Sequence, residues 1–122
     1  MKITICGSIA FYPEMTEVAK VLESIGHEVK FPQIENKSID GKEQAIRIHF
    51  EKIEWSDAVL VLNYDKNGIP NYIGANTLLE MGLAFYLRKP IYILNEIPEI
   101  SYKEEILGMK PRVINGDFGK II

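Results

Sequence analysis

The stretch that most constrains this chain is Ala58-Val59-Leu60-Val61-Leu62, five apolar residues in a row with no polar face. A strand with one wet side alternates apolar and polar residues. A strand apolar throughout is covered on both sides, which is the condition of parallel strands in layered α/β proteins. The rest of the chain supplies the same unit repeatedly. Ile3 to Cys6 is a short apolar run stopped by Gly7-Ser8, His27 to Pro32 and Pro90 to Leu94 read as further strands, and Arg112 to Ile114 as a fifth.

Helical periodicity fills the intervals. Pro13 suits a first turn, and Met15, Val18, Ala19, Leu22 and Ile25 form one face ended by Gly26. Ala45 to Trp55 is expected to be a helix with Ile46, Phe50 and Ile53 on one side, and Asn76 to Leu87 a strongly apolar one. Ser101 to Glu104 has the form of a capping box opening a short helix. Gln33 to Glu43 and Asn63 to Ile73 are polar and rich in turn residues, so they are expected to be loops.

Alternating strands and helices with buried strands imply one α/β domain over residues 1–122, a doubly wound, three-layer parallel sheet of five strands. The expected order is the flavodoxin-like 2-1-3-4-5. Ligands of such sheets bind beyond the carboxyl ends of the strands, where the order reverses. That reversal lies between the first and third strands, so the loops opening at Gly7 and Asn63 should face one another across a cleft.

Composition excludes several classes. Hydrophobic residues make up 47% and charged residues 25% of 122 residues, which is a globular rather than a disordered balance. A net charge of -3 argues against binding a nucleic-acid polymer, whose partners usually show a basic stripe. No apolar run approaches the roughly 18 residues that span a bilayer. One cysteine, Cys6, allows no disulfide within the chain, and the opening Met1 to Gly7 reads as a strand rather than a signal peptide. A cytoplasmic location is the expectation.

Three places could carry chemistry. Gly7-Ser8-Ile9 follows the first strand and precedes a helix, so its amides and the Ser8 hydroxyl suit an anion, as they also suit a capped turn. Gly74 to Gly82 begins after the long cleft loop and sets Asn76 and Glu80 four apart on one helix face. Glu80 stands among Leu78, Leu79, Met81 and Leu83, where burial would raise its pKa and equip it as an acid or nucleophile. A solvated acid near a helix start fits the same pattern. Asn63, Asp65, Asn67 and Asn71, interleaved with Tyr64 and Tyr72, offer amide and aromatic groups at the cleft or form a surface loop.

With these residues in place, the chain resembles the nucleoside 2-deoxyribosyltransferases and the related 2′-deoxynucleoside 5′-phosphate N-hydrolases. The resemblance is carried by the Gly-Ser-Ile turn, the run Ser56 to Leu62, and Glu80-Met81-Gly82-Leu83-Ala84 followed by Lys89-Pro90-Ile91. It implies that Glu80 attacks C1′ of the sugar and expels the base, giving a covalent glycosyl-enzyme resolved by water or another base. It assigns Gly7, Ser8 and Ile9 to a 5′-phosphate, and it requires neither metal nor organic cofactor. It also implies a homodimer or larger assembly, for which the apolar Met81, Leu83, Phe85 and Tyr86 leave surface to spare.

The chain departs from that family at three positions. Asn76 stands where a glycine is usual, His49 where an aspartate assists the departing base, and Thr4 where some members place a tyrosine. A histidine titrates near neutrality and can donate a proton to a leaving base, or it can simply be packed. The expected function is cleavage of the N-glycosidic bond of a (deoxy)nucleoside or its 5′-monophosphate, by hydrolysis or base transfer. A non-catalytic nucleotide-binding or sensing module on the same fold is the alternative.

Overall fold

The computed structural model describes residues 1–33 and 38–122. Five strands form one all-parallel sheet: β1 (Lys2–Gly7), β2 (Glu28–Lys30), β3 (Ala58–Leu62), β4 (Ile91–Ile93) and β5 (Arg112–Val113). Their spatial order is β2-β1-β3-β4-β5, as the alternation of elements predicts. In the central pair Ile3 lies opposite Ala58 and Gly7 opposite Leu62, so both strands run out at the same edge of the sheet.

The pleat sorts the strand residues between two cores. Ile3, Ile5, Leu60 and Leu62 face one side, where they meet Met15, Val18, Ala19 and Leu22 of α1 (Tyr12–Ser24) together with Ile121. Cys6, Val59, Val61 and Ile93 face the other side. There they pack on Ile53 of α2 (Ile39–Trp55), Met81 and Ala84 of α3 (Ala75–Tyr86) and Ile106 of α4 (Lys103–Gly108). Each residue of β3 is buried, which is why this strand tolerates no polar side chain.

Three local expectations are corrected. Of the loop expected over Gln33 to Glu43, residues 34–37 lie outside the described part, and the chain is already helical from Ile39. Ser38 caps that helix by accepting from the amide of Gly41. Ile25 is not part of the buried face of α1; it sits at the helix end and is 52% exposed. The capping box at Ser101 does not form either, because α4 starts at Lys103 behind Tyr102 with no side-chain cap.

Candidate active site

At the carboxyl edge of β1 and β3 the chain leaves the sheet through a turn that only glycine fits. A Cβ on Gly7 would stand 2.9 Å from the carbonyl oxygen of Leu62 on the neighbouring strand. Ser8 then caps a short 3-10 turn by accepting from the amide of Ala10. Beside this turn opens a cavity of about 520 Å³, the size of a small-molecule site. Gly7, Ser8 and Ile9 line one wall, Lys42 to Lys52 of α2 a second, and Tyr72 to Glu80 a third.

Glu80 and His49 meet at its floor. The Nε2 atom of His49 is 3.5 Å from Glu80 Oε2 and 3.5 Å from Cys6 Sγ, so β1, α2 and α3 each send one side chain to the same point. The side chain of His49 is 5% exposed and that of Glu80 14%. Burial pushes the Glu80 carboxyl up to about 8, against smaller opposing pulls from the Cys6 thiol and the Lys42 ammonium. Burial, helped by the charge of Lys52, holds the His49 imidazole down at about 4. The pair therefore has the spacing of an ion pair but not its charges. Near neutrality the carboxyl keeps a proton and the imidazole is uncharged. Among the described residues, Glu80 Oε1 and His49 Nδ1 are buried without a hydrogen-bond partner.

Cys6 is fully buried, and its thiol is raised well above its usual range, first by burial and then by the Glu80 charge. A thiol held in that state is inert as a nucleophile.

The loop between β3 and α3 is more ordered than its sequence suggests. Asn67 and Gly68 take φ of 52° and 76°, and Lys66 and Ile69 form a bridge on either side of them. This is the geometry of a tight hairpin turn, in which an Asn-Gly pair is favoured. It carries Lys66 over the ring of Tyr72 at 5.1 Å, where its ammonium donates to Ser8 Oγ at 2.8 Å. Gly74 makes room for this ring, since a Cβ there would lie 2.7 Å from the Tyr72 hydroxyl.

The two loops thus face one another as expected, but through Lys66 rather than through Asn63 or Asp65. Asn63 is fully buried under the sheet edge. Its amide donates to the carbonyls of Asn95 and Glu96 and accepts from the amide of Asn95. Asp65 is exposed and accepts from the amide of Asn71, closing the loop on itself. Neither lines the cavity, whereas Gly74 and Asn76 do.

No protein-family model matches the sequence, and no curated protein matches it significantly. Solved structures do match. The 2-deoxyribosyltransferase of the psychrotolerant bacterium Bacillus psychrosaccharolyticus superposes with a TM-score of 0.61 at 21% identity, over 77% of this chain and 72% of that one. The fold is that of the 2-deoxyribosyltransferases. The CMP N-glycosidase BcmB of Clostridium botulinum matches over 93% of this chain and 86% of its own, with a TM-score of 0.55 at 18% identity. The 2-desoxiribosyltransferase from Leishmania mexicana matches at 0.56 and 17%, over 76% and 63%.

Lys42, Lys52 and Lys66 went unnoticed in the sequence, although all three border the cavity. Lys52 donates to the carbonyl of Phe31 at 2.9 Å. For the first two a signal existed. Lys42, His49 and Lys52 recur at helical spacing, and that period continues through α2 once its early start is known. Lys66 had only its place before an Asn-Gly turn.

Proposed function

We propose that this protein cleaves the N-glycosidic bond of a nucleoside 5′-monophosphate with Glu80 as nucleophile. The observation that carries the reading is a buried carboxyl with one unpartnered oxygen, set against an uncharged imidazole at the floor of a cavity at the sheet's switch point. Fold likeness to deoxyribosyltransferases and to a CMP N-glycosidase supports the reaction class. Lys66 and Ser8, joined at the rim, supply a cation and a hydroxyl beside the Gly7-Ser8-Ile9 turn and favour a phosphorylated substrate.

The resting pair holds the one proton the reaction needs. Glu80 passes its carboxyl proton to His49 Nε2, and His49 delivers it to the departing base nitrogen. The freed carboxylate takes C1′ as the C1′–N bond breaks, so a glycosyl ester and a neutral base result. Water, or an acceptor base, then attacks C1′ and the Glu80–C1′ bond breaks. With water, the proton lost returns to Glu80 and the sugar 5-phosphate leaves. This is retaining glycoside chemistry. Asn76, one turn before Glu80, is placed in this scheme against the sugar. Leu79, Phe85 and Tyr86 are 55%, 51% and 81% exposed on α3, and we assign this face to a second copy of the chain beside the cavity.

One observation favours the non-catalytic alternative: burial keeps Glu80 protonated near neutrality, and a protonated acid is no nucleophile. Incubation with ribo- and deoxyribonucleosides and their 5′-monophosphates, with and without an acceptor base, decides between them. Free base from a monophosphate, lost in Glu80→Gln, is the expected result. A ligand-induced rise in melting temperature with no base released would leave a binding module.

A further inference from the structure

We propose that Cys6, His49 and Glu80 form a site for one divalent cation of the zinc type, and that its capture blocks the cavity. The three side chains come from β1, α2 and α3, and one ligand atom from each lies within 4.8 Å of the other two. A tetrahedral zinc with these donors sets neighbouring ligand atoms about 3.3–3.6 Å apart. The sulfur-to-nitrogen and nitrogen-to-oxygen separations here are both 3.5 Å. The remaining pair, sulfur and carboxylate oxygen, has only to close within its 4.8 Å bound.

Donor chemistry selects the ion. A thiolate, an imidazole and a carboxylate suit zinc, cobalt or cadmium, whereas magnesium and calcium take oxygen ligands. Charge also closes: two anionic ligands and a neutral imidazole balance the 2+ of the ion, although Lys42 and Lys52 border the same cavity. On binding, the Cys6 S–H bond and the Glu80 carboxyl O–H bond both break, the two protons go to solvent, and the sulfur and carboxylate electron pairs form the bonds to the metal. Three protein ligands leave a fourth position. It faces the cavity, because His49 and Glu80 line it while Cys6 lies behind them in the core. No group holds His49 Nδ1 among the described residues, so the site lacks the outer hydrogen bond that fixes ligating histidines in dedicated centres. It is therefore an exchangeable trap rather than a structural zinc.

Metal binding stands independently of the reaction, but the inhibitory consequence rests on Glu80 being the nucleophile. The test is a titration of the chelator-stripped full chain with cobalt(II) alone, read as the thiolate-to-cobalt charge-transfer band in the near ultraviolet, followed by displacement with zinc. One cobalt per chain with that band is expected. Cys6→Ser should abolish the band and weaken zinc binding at least about a hundredfold, and His49→Gln should weaken it too. If Cys6→Ser does not fold, Glu80→Gln replaces it, with the same loss of affinity expected. A wild-type protein without the band, or equal zinc affinity in wild type and variants, would overturn the site. A cobalt band in a protein that releases no base when metal-free would leave the site standing and remove the glycosidase reading. Base release without a cobalt band would do the reverse.

Discussion

Two buried polar groups stand at the same edge of the sheet, and they are treated in opposite ways. Asn63, just past β3, has both ends of its amide engaged by Asn95 and Glu96, and its own carbonyl accepts from the Asn95 side chain. Glu80 and His49, across the same edge, touch one another and Cys6 yet keep an unpartnered atom each. A buried polar group that is fully paired holds the fold together. One left partly unpaired costs stability and persists where something else depends on it. By this contrast Asn63 belongs to the scaffold and Glu80 to the chemistry, although the sequence offers both as cleft residues.

Exchanging the two behaviours by mutation is the sharpest way to break the comparison. Glu80→Gln removes the nucleophile and should lower base release by about 10⁴-fold or more. It should not lower stability, because it replaces a poorly solvated acid by a neutral amide. A variant that kept its activity would place Glu80 with Asn63. Asn63→Ala should do the converse. It strands the Asn95 amide and two carbonyls and should cost about 3 kcal/mol in denaturant unfolding, while the folded fraction keeps its turnover.

The third expectation concerns pH. Folded, Glu80 keeps its proton up to about 8; unfolded, it loses it near 4.5, so the folded chain binds more protons in between and stability falls as pH rises. His49 works oppositely between about 4 and 6.5, where the unfolded chain binds the extra proton. Above 6.5 the opposing histidine effects of His49 and His27 fade and the Glu80 effect dominates. Chemical denaturation in metal-free buffer should show about 1–1.5 kcal/mol lost between pH 6.5 and 8. The groups that face the carboxyl, Cys6 on β1 and His49, Lys42 and Lys52 on α2, remain in Glu80→Gln. A slope that survives in that variant would assign the titration to one of them. The smallest effect is at the rim. Lys66→Gln should raise KM for a 5′-monophosphate about tenfold and leave kcat and the unphosphorylated nucleoside almost unchanged. Equal losses on both substrates would remove the phosphate from its role.

The sheet was legible because its signal is periodic. Ala58 to Leu62 is apolar on both faces, Gly7 ends a strand, and alternation of elements leaves few orders for five parallel strands. The first turns of α2 were not legible. Ile39 is 86% exposed and Gly41 lies inside the helix, so no apolar stripe and no good helix former marks the start. Glu80 stood out as an acid among apolar neighbours. Lys66 did not, since a lysine in a polar loop carries no period and its position follows from a turn that points it back at Ser8. Asn63 misled for a related reason: its type and place suit a ligand contact, and only the packing of the Asn95 segment beneath it shows where its amide is engaged.

The strand order has a consequence for how the chain reaches this state. β1 precedes the other strands of the sheet, but its partners begin at Glu28 and Ala58, and neither pairing is a hairpin that can close locally. Half of the core must therefore wait until the middle of the chain has found the beginning, which puts refolding among the slower two-sided sheets. Cys6 lies 43 residues before His49 in the chain, and Glu80 lies further on still. They come together only when α2 and α3 dock, so the site is complete no earlier than the sheet that supports it.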